Sequence, residues 1–422
     1  DDRGAGLLPD VPAIVVDDPR ARLAEVSAWF YDHPSTAFRT IGVTGTQGKT
    51  TATYLAEAAL SARRPAIVGT IGTRIAGVQA ASSLTTPEAP DLQALFAVMR
   101  EEAVDACVLE VSSHALTLGR VDGFTFDVGV FLNLGRDHLD FHGDVQSYFL
   151  AKAALFTPSR ARHAVVNADD TQGKALIELI GDQIPVTTFS TAGRVADWRA
   201  TNIRAHRLGT DLSVLMPDGR DLPLSVPLPG IFNVSNAVAV LAALAAAGFD
   251  PEEAAAGIAS SPGVPGRMER IEEGQDFTVV VDYAHKPDAI TAVLAALRPV
   301  TAGRLIVVVG AGGDRDQGKR PLMGAAAAQV ADLVIVTDDN PRSEDPAAIR
   351  SSVLAGASVG PAAVVEVADR RDAIEHAIAL AHRGDAVVIA GKGHETGQEI
   401  AGEVHPFDDR IVVREALARS TR

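Results

Sequence analysis

Gly42-Val43-Thr44-Gly45-Thr46-Gln47-Gly48-Lys49-Thr50-Thr51 decides how this chain is read. A short apolar run over 40–43 leads into it, and a helix-like run over 51–62 leads out. Strand, glycine-rich turn and helix start, in that order, bring backbone N–H groups and a helix N-terminus to one point, which is where phosphate is held. Lys49 adds a positive charge for the outer phosphates, and the Thr50 hydroxyl suits a magnesium ion. The spacing departs from the common nucleotide loop. Counted back from Gly48-Lys49-Thr50, that loop has glycine at 43; here Val43 stands there, with glycines at 42, 45 and 48. The bland alternative is a glycine-rich turn with an exposed lysine, and the flanking strand and helix argue against it.

At 422 residues the chain is long enough for two or three domains, and 47% hydrophobic residues supply their cores. A net charge of −16 argues against a nucleic-acid partner, which needs a basic face, but leaves room for a local cationic pocket. The single cysteine, Cys107, lies in an apolar run and excludes a disulfide within the chain, which fits a reducing compartment. No apolar run is long enough to span a membrane. These features lead us to expect a cytoplasmic enzyme, acting as a monomer.

The α/β alternation is the main organising signal. Residues 1–38 hold one strand candidate, 13–16, and one helix candidate, 19–31, too little for a core of their own. From 39 to 265 strand candidates at 40–43, 106–111, 128–133 and 164–167 alternate with helices, which predicts a central P-loop-type parallel sheet domain. Short alternating strands follow over 184–229, with Met216-Pro217-Asp218-Gly219-Arg220 as a hairpin turn, then an alanine-rich helix over 234–247. Ser260-Ser261-Pro262-Gly263-Val264-Pro265-Gly266 reads as a hinge. Beyond it, 266–422 repeats the alternation, with strands expected at 277–281, 305–309, 333–337, 364–367 and 386–389, and predicts a Rossmann-like doubly wound domain.

Polar residues gather at the expected strand ends. Glu110 ends one central strand and offers a hard oxygen for magnesium; the alternative is an ordinary strand-end carboxylate. Arg136-Asp137-His138-Leu139-Asp140 follows the next strand, and His138 either ligates metal, orients a phosphate or is structural. Lys152 stands among apolar residues of a helix, where a lysine either snorkels to water or is held and modified. In the last domain Asp282-Tyr283-Ala284-His285, the 310–320 loop, Asp338-Asp339-Asn340-Pro341-Arg342 and Gly391-Lys392-Gly393-His394-Glu395 end four strands. Arginine for a carboxylate and acids for an ammonium describe a cleft for a zwitterion.

Gly45-Thr46-Gln47-Gly48-Lys49-Thr50-Thr51, Leu109-Glu110-Val111-Ser112-Ser113-His114, the Arg136–Asp140 and Lys152 stretches, Phe232-Asn233-Val234-Ser235-Asn236, Pro265-Gly266-Arg267-Met268-Glu269 and Asp282-Tyr283-Ala284-His285 together resemble the Mur ligases, ATP-dependent amide-forming enzymes of peptidoglycan assembly. The resemblance runs over about residues 10–420. It is nearest to the tripeptide-forming members, and the Asp339-Asn340-Pro341-Arg342 box resembles the form that adds meso-diaminopimelate rather than lysine. The implied reaction activates the D-glutamyl carboxylate of UDP-MurNAc-L-Ala-D-Glu as an acyl phosphate, which the diamino acid then attacks.

The resemblance also implies roles. Gly45, Thr46, Gln47, Gly48, Lys49, Thr50 and Thr51 would hold ATP, with Asn236, Arg267 and Asp282 on the nucleotide. Thr50 and Glu110 would hold one magnesium; His138 and a carbamylated Lys152 would serve a second. Lys49, Glu110, His138 and Lys152 form the implied catalytic set. Thr85, Thr86, Ser112 and Arg120 would bind the UDP-muramoyl dipeptide. Arg315, Asp339, Asn340, Pro341, Arg342, Gly391 and Glu395 would hold the diamino acid. There are two departures. Gln47 stands where the family usually has Asn, and of the family's uridine-binding front domain only the last strand and helix, around 12–35, are expected here, so the N-terminal domain reads as largely absent. The rival readings are a related ligase for another amino acid or carboxylate, such as L-lysine or a folate polyglutamate, and a catalytically silent nucleotide-binding paralogue.

Overall fold

The computed structural model describes residues 15–80 and 84–420. Of the strand expected at 13–16, residues 13 and 14 lie outside the described residues, and Val15 and Val16 are not in a strand. Two compact units divide the chain. The first runs to Ile203 and takes in Asp211–Val226 and Phe232–Pro262; the second holds Arg204–Thr210, Pro227–Ile231 and Gly263–Arg422. The division at 262/263 falls within the proline- and glycine-rich stretch 260–266.

Eleven strands form one sheet: β1 Arg39–Thr44, β2 Pro65–Gly69, β3 Gly72–Ile75, β4 Val78–Ala80, β5 Ala106–Glu110, β6 Val128–Phe131, β7 Ala164–Asn167, β8 Val186–Ser190, β9 Trp198–His206, β10 Gly209–Leu215 and β11 Asp221–Val226. Their order is β11-β10-β9-β8-β7-β6-β1-β5-β2-β3-β4. β1 lies between β5 and β6 and is parallel to both, with Val43 opposite Glu110. A chain that leaves β1 to one side and later returns to its other side opens a crevice at the strand C-termini. The phosphate loop follows β1 and sits at that crevice.

Sequence patterning missed β2, β3 and β4. β2 is short and begins at a proline, and β3 and β4 turn antiparallel to extend the edge. Three strands therefore intervene in sequence between β1 and the strand carrying Glu110, although the two pair directly. The Met216–Arg220 turn does join β10 to β11, closed by a hydrogen bond from the Met216 amide to the Arg220 carbonyl at 2.9 Å.

The second unit has a six-stranded sheet built from β12 Glu269–Arg270, β13 Thr278–Asp282, β14 Leu305–Val309, β15 Leu333–Val336, β16 Ala363–Glu366 and β17 Ala386–Ala390, in the order β12-β13-β17-β14-β15-β16. All pairs but β12–β13 are parallel. β14 is Leu-Ile-Val-Val-Val and wholly buried, as a strand covered on both faces must be. A two-stranded hairpin, β18 Gly397–Ile400 and β19 Glu403–Pro406, was not anticipated; its strands are short and half-polar. Asp-Pro pairs start several helices: Asp250 accepts from the Glu252 and Glu253 amides, and Asp345 from the Ala347 amide, each with proline at the first helical position.

Each unit has its own apolar cluster, one around Phe96, Phe126 and Phe131, the other around Ile306, Ile335 and Ile389. Among the described residues no helix is long and apolar enough to cross a membrane.

Candidate active site

In the first unit, Gly48 precedes the Lys49–Ala59 helix with φ at +87° and no side-chain cap. Glycine is required there twice over. The backbone is left-handed, and a Cβ would lie 2.4 Å from Asn236 Oδ1. That contact also places Asn236 against the loop. The uncapped helix start offers its first N–H groups and the positive end of its dipole to an anion.

Two loop amides are already used. Those of Thr46 and Gln47 both donate to Asn133 Oδ1, at 3.1 and 3.0 Å, while Asn133 Nδ2 donates to the Gln47 carbonyl at 3.1 Å. Asn133 thus clamps the loop from the segment after β6, a role its place at a strand end did not reveal.

Lys49 Nζ donates to the Gly45 carbonyl at 2.9 Å, and so does Lys152 Nζ at 3.0 Å. Lys152 does not snorkel: it is 1% exposed, and its ammonium lies 4.7 Å from the Tyr148 ring centre. Two ammonium groups on one oxygen are a like-charge pair that an anion at the loop relieves. Tyr148 OH meets Thr46 Oγ1 at 3.1 Å, and burial keeps that phenol protonated by pushing its pKa up. His138 stands in the left-handed region with φ at +50° and stacks edge-on to His114 at 4.8 Å; its ring is 3.4 Å from Asp137. Burial holds His114 and His142 below the usual histidine range, helped by the charges of Arg120 and His114 respectively.

Glu110 is 1% exposed, and its oxygens accept from the Thr70 amide at 2.8 Å and the Thr70 hydroxyl at 3.1 Å. A buried carboxylate of this kind suits a cation supplied from outside the chain. Among the described residues no three His, Cys, Asp or Glu side chains form a metal cage, and magnesium seldom uses one, since it keeps waters and substrate phosphate oxygens as ligands. The buried Glu110 carboxylate is a donor of the kind magnesium takes. The unmodified ammonium of Lys152 is not.

The residues expected to take the UDP-linked substrate converge beside Glu110. Thr85 Oγ1 meets Thr70 Oγ1 at 3.1 Å, Thr86 Oγ1 donates to the Glu110 carbonyl at 2.8 Å, and the Ser112 amide donates to Thr86 Oγ1 at 3.2 Å. Arg120 reaches the Thr86 carbonyl at 3.3 Å and pairs with Glu88 at 2.9 Å.

In the second unit the four quoted strand ends belong to β13, β17, β14 and β15, which are consecutive in the sheet. Asp282 at the end of β13 accepts from the Met268 and Ala284 amides at 2.7 and 2.8 Å, which braces the turn carrying Arg267; burial raises its carboxyl pKa. Arg267 stacks on Tyr283 at 4.2 Å, and His394 lies 5.0 Å from the same ring.

The 338–342 segment forms the densest cluster. Asn340 Nδ2 donates to Glu395 Oε2 at 2.9 Å. Arg342, left-handed with φ at +54°, donates through Nε to Glu399 Oε2 at 3.1 Å and through Nη1 to the Gly313 carbonyl at 2.6 Å. Pro341 presents its carbonyl to Gly313, where a Cβ would come within 1.9 Å of it, and at Gly391 a Cβ would come within 2.4 Å of Asp339 Oδ2. Arg315 is exposed. Lys392, Glu399 and the Arg370–Asp409 pair belong to this cluster as well; none was singled out from sequence, because their partners lie far along the chain.

Burial lowers His285 and His394 to about 4. Between pH 4 and the ordinary value of about 6.5 the unfolded chain then binds more protons than the folded one, so stability is lost as pH falls through that window. Urea melts at pH 7, 6, 5 and 4.5 are expected to show this decline. His285→Gln and His394→Gln are expected to flatten it relative to wild type, whereas parallel slopes would contradict it.

Matching family models span both units. Residues 43–244 match the Mur ligase middle domain and residues 266–393 the Mur ligase glutamate ligase domain. A UDP-N-acetylmuramoyl-L-alanyl-D-glutamate–2,6-diaminopimelate ligase of Streptomyces avermitilis is 52% identical over 97% of this chain and 82% of its own length. The chain belongs to the Mur ligases. The Streptomyces coelicolor Mur ligase of the same name is 53% identical over 97% of this chain and 82% of its own. Among solved structures, a diaminopimelate ligase of that name is 37% identical with a TM-score of 0.71, covering 97% of this chain and 84% of that one. A Mycobacterium tuberculosis folylpolyglutamate synthase shares this Mur ligase fold, with a TM-score of 0.71 at 21% identity over 96% of this chain and 95% of its own.

Proposed function

We propose that this Mur ligase uses ATP to join meso-diaminopimelate to the D-glutamyl carboxyl of UDP-N-acetylmuramoyl-L-alanyl-D-glutamate. The D-glutamyl carboxylate attacks the γ-phosphorus, the bond to ADP breaks, and an acyl phosphate forms. The amino-acid nitrogen, having lost a proton, attacks the acyl carbon, and inorganic phosphate leaves. The first step brings two anions together. Lys49 and the amides at the start of the Lys49–Ala59 helix offset that charge, and Asn133 holds the loop in shape beneath them. Magnesium bound by Glu110 and Thr50 would add charge neutralisation at the phosphates.

Lys152 is assigned the carbamate form in the working enzyme. Its neutral amine adds to carbon dioxide, an N–C bond forms and a proton leaves. The like-charge pair at the Gly45 carbonyl then becomes a pair of opposite charges, and the new oxygens can bind metal.

Arg342 carries the amino-acid assignment. Two of its nitrogens are fixed by Glu399 and Gly313, which leaves Nη2 to meet a carboxylate, beside a Glu395 carboxylate able to meet an ammonium. A diamino diacid offers such a zwitterionic end away from the reacting amine, and lysine lacks its carboxylate. Arg342→Ala is expected to lower kcat/KM for meso-diaminopimelate by about 10- to 100-fold, the range of a charged hydrogen bond, and to leave the slower reaction with lysine little changed. An unchanged preference would overturn the assignment.

A further inference from the structure

Lys392 lies in the Gly391-Lys392-Gly393-His394-Glu395 segment after β17, and its side chain is 0% exposed. A lysine usually buries its stem and carries its ammonium to water. This one does not. Its Nζ lies 2.8 Å from Asn340 Oδ1, 3.4 Å from Glu395 Oε2 and 4.0 Å from Asp339 Oδ1.

These contacts settle the orientation of the Asn340 amide. Oδ1 also accepts from the Glu399 backbone amide at 3.1 Å. An ammonium and a backbone N–H only donate, so the atom between them must be the oxygen. Nδ2 then points the other way and donates one hydrogen to Glu395 at 2.9 Å, with a second hydrogen to offer. The ammonium also sits between two carboxylates, Asp339 and Glu395, that would otherwise repel across a largely dry site. Glu395 is partly exposed, with its side chain 32% accessible.

We propose that Lys392 is a positioning residue for the amino-acid subsite. Its buried ammonium fixes the Asn340 amide so that Nδ2 faces the ligand carboxylate, and it holds the Glu395 carboxylate in place for the ligand ammonium. This rests on the reading of the 338–342 and 391–395 segments as the amino-acid site. It adds a residue that need not touch the ligand.

Steady-state kinetics of the full chain test it, with Lys392→Met, Asn340→Ala and the double variant. Lys392→Met is expected to raise KM for meso-diaminopimelate about tenfold or more, to change KM for ATP less than about twofold, and to add markedly less once Asn340 is replaced by alanine, because residues in contact within one hydrogen-bond network do not act additively. Lys392→Arg is expected to recover part of the affinity. Lys392→Met/Glu395→Gln, which removes one negative charge with the positive one, gives the same comparison against Glu395→Gln should Lys392→Met fail to fold. An unchanged amino-acid KM in Lys392→Met, an equal rise in both KM values, or effects of Lys392→Met and Asn340→Ala that simply multiply would overturn the proposal. Asn340→Ala with an unchanged amino-acid KM would instead overturn the site reading, and this inference with it.

Discussion

Replacing Lys152 with alanine is expected to slow ligation by about 100-fold or more, the scale on which a single preorganised group at a reacting centre acts. The side chain is almost wholly buried and ends on the Gly45 carbonyl, the atom that also receives Lys49. As an ammonium it duplicates a charge that Lys49 already brings to the loop. As a carbamate it would add negative oxygens able to bind metal and to pair with Lys49. Only the second form gives the residue a use that Lys49 cannot supply. Short carboxylates such as formate or acetate are therefore expected to restore part of the activity of Lys152→Ala, by standing where the proposed carbamate would stand, and to do nothing for the wild type. Initial rates with and without the additive measure this. Wild-type rates in the variant without any additive would remove Lys152 from the mechanism.

Asp409→Ala is expected to have the largest effect on stability, about 3–5 kcal/mol, because it strands a buried guanidinium. Arg370 and Asp409 are both 0% exposed and joined by two hydrogen bonds, Nε to Oδ1 at 2.8 Å and Nη2 to Oδ2 at 2.7 Å. Burial alone would lower the Arg370 pKa, and Asp409 more than reverses that. The guanidinium also donates to the Ala390 carbonyl at 3.0 Å and the Asp338 carbonyl at 3.4 Å. It therefore ties the final helix, Asp409–Ser420, to the two strand ends that carry Gly391 and Asp339. Urea unfolding of the variant should show a lower midpoint, and the amino-acid KM of the folded fraction should rise. Arg370→Met/Asp409→Leu, which removes both charges, is expected to recover most of the lost stability. A loss under about 1 kcal/mol in Asp409→Ala would show that the pair is not coupled as its geometry implies.

Much of this was legible in the residues themselves. The glycine-rich stretch announces a strand, a turn and a helix start. The all-apolar run at 305–309 reads as a strand, and the structure buries all of it. The strand ends of the second unit were also read as a set, and the sheet order makes them neighbours. What stayed hidden depends on contacts that periodicity does not carry. β2 to β4 are too short and too mixed to stand out. The pattern around Lys152 allowed either a snorkelling or a buried ammonium, and only packing decides between them. Asn133 looked like a strand terminator until its amide met the loop, 86 and 87 residues away in sequence. Lys392 looked like one more polar residue in a glycine-rich turn. Its partner Asn340 is 52 positions distant, and Arg370 finds Asp409 across 39.

The most direct measurement is phosphate release from ATP by the purified chain, with product mass read in parallel. Release that needs both UDP-N-acetylmuramoyl-L-alanyl-D-glutamate and meso-diaminopimelate, with a product heavier than the dipeptide substrate by one diaminopimelate less water, is the predicted result. Release that is indifferent to the diamino acid, or a product carrying a different amino acid when all are offered together, would contradict the account.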